Sequence, residues 1–114
     1  MLKKKLSKQK ILQKQRIEDK KCDKAWAKGI RENANGICEL CGSSTQFLQS
    51  HHLLCCRHRP TRWLMLNGVA LCPRCHKFGA YSVHRNPIYA IERFREIRGE
   101  KWYQQVKWLA FSVE

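Results

Sequence analysis

Residues 38–76 read CELCGSSTQFLQSHHLLCCRHRPTRWLMLNGVALCPRCH, and a Cys-x-x-Cys pair stands at each end of that stretch, Cys38/Cys41 and Cys72/Cys75. A two-residue spacer lets one tight turn, here ending in Gly42, aim both sulfurs at a common point. Four thiolates delivered in this way are what tetrahedral zinc takes in a closed, structural site. Two disulfides or a set of reactive thiols would use the same residues. The odd total of 7 cysteines and their paired spacing fit metal ligation in a reducing compartment better. A structural Zn2+ on Cys38, Cys41, Cys72 and Cys75 is therefore expected, pinning residues 42–71 as a closed loop. Cys22, Cys55 and Cys56 are left as ordinary thiols, the last two adjacent and badly placed to share one ion.

Around this stretch the chain is short and basic. A chain of 114 residues makes one small domain, whose core needs help from a cross-link or a metal. The formal net charge of +14 predicts a polyanionic partner, nucleic acid first, without separating DNA from RNA. A basic protein with no such partner is the bland alternative. A membrane-surface peptide fits less well, because no strongly amphipathic basic helix dominates. No run approaches the roughly 20 apolar residues of a membrane span. Met1–Lys24 also lacks the apolar stretch of a signal peptide. A cytoplasmic protein with no membrane partner is expected.

Outward from the cysteines, residues 1–24 form a lysine- and glutamine-rich basic arm or solvated helix, and residues 25–114 form the main domain. Ala25–Asn33 predicts a short helix, Asn35-Gly36 a turn, and Gln46–Leu54 a strand. Cys55–Trp63 reads as a basic loop broken by Pro60. Leu64–Leu71 is largely apolar and interrupted by Asn67-Gly68. A short helix is expected past His76, limited by Gly79. Asn86-Pro87 reads as an N-cap followed by proline at the first helical position. The helix it opens carries Ile88, Ile91, Phe94 and Ile97, and Gly99 ends it. Glu100–Phe111 forms a last helix whose Trp102, Tyr103, Val106 and Leu109 are core packing. The fold class expected is small α+β, with helices on both flanks.

A structural zinc knuckle has no use for His51, His52, Asn67 and His76. The knuckle brings His76, next to the last cysteine, near the strand that carries the His51-His52 doublet. Neighbouring side chains on a strand point to opposite faces. The two histidines should therefore do different work, one binding metal and the other acting on substrate.

The string Cys38-x-x-Cys41, His51-His52, Asn67, Cys72-x-x-Cys75-His76 resembles the HNH nuclease motif, the ββα-metal or His-Me finger, over roughly residues 38–87. Within it Arg57, Thr61-Arg62-Trp63 and Asn67 are similar to phage recombination nucleases of the NinG (Rap) type. The resemblance implies a hairpin carrying the doublet, a helix after the last histidine, and a divalent ion held between them. By position it implies that His51 and His76 are ligands of the catalytic metal and His52 is the general base. Asn67 would tie the hairpin together and orient that base. The family commonly places a further ligand one helical turn beyond the His76 position, and here that residue is Ala80. Water or phosphate would fill the place, or His84 would reach back across the bend at Gly79 as a third ligand. His84 otherwise reads as a phosphate or capping contact.

The function implied is a metal-dependent DNA endonuclease that leaves 5′-phosphate and 3′-hydroxyl ends. It would act on branched recombination intermediates or with low sequence specificity. Neutral imidazole suits a general base near pH 7. Mg2+, Mn2+, Ni2+ or Zn2+ would serve as the catalytic ion. Arg57, Arg59, Arg62, Arg74, Lys77 and Arg85 flank the histidines and are the expected phosphate contacts on double-stranded or branched DNA, with binding that weakens as salt rises. Trp63 is expected to pack on the hairpin rather than stack on a base. Two cuts across a junction would want a homodimer, and a phage-encoded enzyme would work in the cytoplasm of a bacterial host. The alternative is a non-catalytic zinc-knuckle module that binds nucleic acid. Such a module needs no histidine doublet. An adaptor using the C-terminal aromatic helices is a third and weaker reading.

Overall fold

A computed structural model describes residues 2–112, so residue 1 of the basic arm and residues 113–114 of the main domain lie outside it. The chain runs as helix α1 (Leu2–Asn33), strand β1 (Gln49–His52), a single-turn helix α2 (Arg59–Arg62) and a 3-10 turn (Met65–Asn67). Strand β2 (Gly68–Leu71), a π-turn (Arg74–Phe78) and helices α3 (Pro87–Arg98) and α4 (Glu100–Phe111) follow. This is a small α+β fold with one two-stranded antiparallel sheet.

The sheet owes its stability to being covered on both faces. All four residues of β2 are buried. Val69 and Leu71 point to one side, where they pack with Cys38, Leu40, Val83, Ala90 and Phe94. Ala70 points to the other side, against Trp26 and Ile30 of α1. Two strands alone are marginal in water, and burying such side chains contributes about 1.5–3 kcal/mol each for the large ones. The β2 edge away from β1 is closed by Glu39, which lies between the first two cysteines. Its backbone N–H donates to the Ala70 carbonyl at 2.9 Å, and its carboxylate accepts from the Ala70 N–H at 2.6 Å. Arg98 at the end of α3 pairs with the same carboxylate at 2.6 Å and donates to the Gly68 carbonyl at 2.9 Å.

In the β1–β2 register His51 faces Val69 and His52 faces Gly68. The doublet is thereby split, His51 to the α3 side and His52 to the α1 side. Gly68 is what lets α1 approach, since a Cβ there would lie 2.5 Å from both Trp26 Cζ2 and Ile30 Cδ1. Gly68→Ala should push α1 off the sheet and destabilise the fold by about 1–3 kcal/mol, the usual penalty of overpacking. A thermal melt of the variant superimposing on the native curve would contradict this packing.

Several boundaries differ from those expected from sequence. The arm and the short helix at Ala25–Asn33 form one unbroken helix, because no glycine or proline interrupts residues 2–28. The strand covers Gln49–His52 rather than Gln46–Leu54. Beyond His52 the chain turns into the Cys55–His58 loop, where the His58 N–H bonds the Cys55 carbonyl. Pro60 does not break that loop but starts α2, where its missing N–H has no helical partner to lose. The helix after His76 is only a five-residue π-turn, closed by the Gly79 N–H on the Arg74 carbonyl at 2.8 Å. At α3 the Asn86 side chain accepts from the Tyr89 N–H, as an N-cap does. Among the described residues no helix is long and apolar enough to cross a membrane.

Candidate metal centre and its supports

The first cluster joins Cys38, Cys41, Cys72 and Cys75, whose sulfurs all lie within 4.8 Å of one another. The first turn is shaped by Gly42, whose φ of +76° is the left-handed conformation that side chains resist. Its N–H reaches back to the Cys38 carbonyl at 2.9 Å. In the second turn the Cys75 N–H donates to the Cys72 sulfur at 3.4 Å. Burial pushes the thiols of Cys38 and Cys75 up, and neighbouring thiols push Cys75 further. Burial acts upward on Cys41 as well. Hydrogen bonds from the Ser43 hydroxyl and N–H and from two neighbouring thiols outweigh it and bring Cys41 down to about 6. Four sulfurs sharing protons at this range, with backbone N–H groups aimed at them, suit a soft divalent ion that replaces those protons. This donor set could hold a structural zinc.

The second cluster is nitrogen only. One ring nitrogen from each of His51, His76 and His84 lies within 4.8 Å of the others. Ring centroids are 5.1 Å apart for His51 and His76, 5.2 Å for His51 and His84, and 4.7 Å for His76 and His84. The return of His84 is a backbone effect. Past the π-turn the Val83 N–H bonds the Cys75 carbonyl and the His84 N–H bonds the His76 carbonyl, at 2.8 and 3.3 Å. The ring of His84 follows, its Nε2 lying 3.1 Å from His76 Nε2. His76 Nδ1 lies 2.6 Å from the Gln49 side-chain oxygen. That oxygen can only accept, so Nδ1 carries the proton and Nε2 presents its lone pair to the cluster. Burial first, and then the charges of His76, His84 and His52, hold His51 down to about 4. His76 is lowered too, by burial, His84 and Lys77. Both rings are therefore neutral at pH 7, the form that ligates metal.

His52 occupies a different environment. Its ring stacks on Trp26 of α1 at 3.8 Å with an interplanar angle of 7°. Its Nε2 lies 2.8 Å from the Arg62 carbonyl. A carbonyl accepts only, so the proton sits on Nε2 and the lone pair of the neutral ring is on Nδ1. The Arg62 carbonyl is itself held from α1. Asp23 accepts two hydrogen bonds from the Arg62 guanidinium, at 2.9 and 2.7 Å, and one from Trp63 Nε1 at 2.9 Å. The Arg62 guanidinium, and then Trp63, hold the Asp23 carboxyl below its ordinary value against the opposing effect of burial. Trp26 Nε1 donates to the Leu64 carbonyl at 2.9 Å. Asn67 is fully buried and secures the other end of the loop. Its side chain accepts from the Leu54 N–H at 2.6 Å and donates to the carbonyls of Leu54 and Thr61 at 3.3 and 3.0 Å.

The six basic residues divide into two groups. Arg59 and Arg62 are spent on α1, in bidentate pairs with Asp19 and Asp23. Arg57, Arg74, Lys77 and Arg85 are exposed, on the loop after β1, the π-turn and the segment beside His84. Ala80 is exposed and falls outside the histidine cluster. Sequence reasoning missed Gln49, Trp26, Asp19 and Asp23. A signal was there for each. Gln49 is two residues before His51 and so shares its face, while positions 19, 23, 26 and 30 repeat at helical spacing on one side of α1. No protein-family model, curated protein or solved structure matches this chain.

Proposed function

We propose that the chain is a metal-dependent DNA endonuclease of the HNH, ββα-metal kind, with a zinc knuckle on the four cysteines. The observation that carries this reading is the split doublet. His51 joins a three-imidazole cluster while its neighbour His52, one face away, is stacked on Trp26 and hydrogen-bonded at Nε2, which leaves the lone pair of its neutral ring on Nδ1. A purely structural or binding module gains nothing from fixing one histidine as a ligand and the next as an oriented base.

In this reading His51, His76 and His84 hold one divalent ion, His84 taking the place that Ala80 leaves open. Such an ion would supply positive charge to a phosphate oxygen and to the departing 3′ oxygen. His52 Nδ1 takes the proton from the attacking water, and its Nε2–H on Arg62 stabilises the imidazolium that forms. Asn67, the Asp23–Arg62 pair and Trp26 keep that ring in place. Arg57, Arg74, Lys77 and Arg85 bind phosphates, and the lysines of α1 add sequence-independent affinity. Arg59 and Arg62 serve the fold in this arrangement more than the nucleic acid. Imidazole suits Ni2+ and Zn2+ better than Mg2+, which prefers oxygen. Branched DNA as the natural substrate, a dimer to cut it twice, and a cytoplasmic setting remain parts of this proposal.

The test is incubation of the purified chain with supercoiled plasmid and with a four-way junction, in EDTA or with Mg2+, Mn2+, Ni2+ or Zn2+. Nicking and linearisation are expected with the transition metals, less with Mg2+ and none in EDTA, with 5′-phosphate ends. Tight binding without cutting under every metal would favour the zinc-knuckle binding module instead.

A further inference from the structure

Beside the histidine cluster lies a groove of about 740 Å3 between the end of β1 and helices α3 and α4. That volume falls within the usual range of small-molecule sites, about 300–1,000 Å3. Ile91 and Phe94 line it on α3, and Tyr103, Lys107 and Phe111 line it on α4. His51, His52 and His84 border the same groove. Among the described residues no carboxylate lines it, and its one lysine or arginine is Lys107. Phe111 is 80 % exposed, a large aromatic surface left in water at the rim.

An apolar, aromatic recess with a cationic rim suits a ligand that is a flat ring and an anion at once. The shared wall adds a second constraint, because whatever enters must sit next to the proposed phosphate position at His51 and His84. A nucleobase attached to that phosphate satisfies both. A base inside a duplex offers no free ring face, so the occupant must be one that is out of the stack. A second copy of this chain, itself carrying +14, is a poorer partner for Lys107 than a phosphate-bearing ligand.

We therefore propose, resting on the nuclease reading, that this groove receives an unpaired nucleobase next to the scissile phosphate. The substrate class is then DNA with an unpaired nucleotide at the cut, as at a junction, bulge or flap. Stacking on aromatic side chains recognises any base, which predicts a preference for structure over sequence.

The test uses the zinc-loaded full chain with His52→Ala to prevent turnover. Three duplexes are compared, carrying an unpaired 2-aminopurine, an abasic site at the same position, or full pairing. The unpaired base should bind about tenfold tighter than the abasic site, with its fluorescence quenched. Phe111→Ser should remove that preference and leave binding to the paired duplex unchanged. Phe111 is exposed, so this variant should keep its circular dichroism, and Tyr103→Ser provides a second probe. Equal affinity for base and abasic site overturns the proposal. So does a preference that survives both substitutions, or a dimer in sedimentation that Phe111→Ser dissociates, since a second copy would then cover the groove. Metal-dependent cutting of the four-way junction by the native chain reads the nuclease reading separately. A chain that cuts but shows no base preference loses only the groove, and one that shows the preference but cuts nothing loses the nuclease.

Discussion

Replacing His52 with alanine should lower metal-dependent cleavage by about 10²–10⁴-fold, the usual contribution of a positioned general base. Folding and DNA binding should survive. The side chain is partly buried and its one hydrogen bond is to a backbone carbonyl, which water can satisfy in its place. Trp26 loses a stacking partner but keeps its bond to the Leu64 carbonyl and its packing with Ile30 and Ala70. The histidine cluster on the other face of β1 keeps all three rings, so metal affinity measured by calorimetry should stay within a few-fold of the native chain. The comparison with His76→Ala is informative, because that variant should lose metal affinity and cutting together. Native-level cleavage by His52→Ala would remove the base assignment. Lost cleavage together with lost metal binding would mean that the two faces of the strand are not independent.

The second large effect is expected from removing metal from the four cysteines. Structural zinc in small domains contributes about 10–16 kcal/mol at neutral pH, against a net stability of about 5–15 kcal/mol for a typical domain. A chelator strong enough to strip four thiolates should therefore unfold the region around β2, where Cys38, Leu40 and Leu71 share one core. Cys38→Ser should act in the same direction, since Cys38 is the fully buried member. Loss of zinc by elemental analysis should coincide with a red shift of tryptophan emission, as Trp26 leaves its buried site. Acid should have the same outcome, because protons compete with the ion for sulfur. A chain that holds no zinc as purified and keeps its melting profile in chelator would refute the knuckle as a metal site.

Much of this architecture was legible in the order of residues. Each Cys-x-x-Cys spacing brings its own two sulfurs together by local turn geometry, and the need of a tetrahedral ion for four thiolates pairs the two turns. Alternation along a strand separates His51 from His52 without knowledge of what covers either face. Asn86, Pro87 and Gly99 mark the limits of α3 by rules that act within a few residues. The missing parts depend on contacts between distant segments. That residues 2–24 continue into a helix that walls one side of the site depends on Asp19, Asp23 and Trp26 meeting a loop some 40 residues later. Their polar and aromatic stripe is too narrow to dominate a helix rich in lysine. The pairing of Arg59 and Arg62 with those aspartates was hidden for the same reason, since a surface arginine looks alike in sequence whether it meets phosphate or carboxylate. The approach of His84 rests on two backbone hydrogen bonds across a π-turn, a rare shape that periodicity does not announce.

The uneven embedding of α1 has a consequence for local unfolding. One rod carries two regimes. Every side chain from 2 to 18 is exposed, so that half has only its own backbone hydrogen bonds to hold it, and isolated helices of that length are marginal in water. Its turns should open and reclose, away from the embedded half, at almost no free-energy difference. The fraying front then meets Asp19, Asp23 and Trp26, where further opening would mean releasing Arg59, Arg62 and the stacked imidazole together. Protection against solvent exchange should thus rise over about one turn of helix. The arm can melt and re-form many times while the ring of His52 stays where it is.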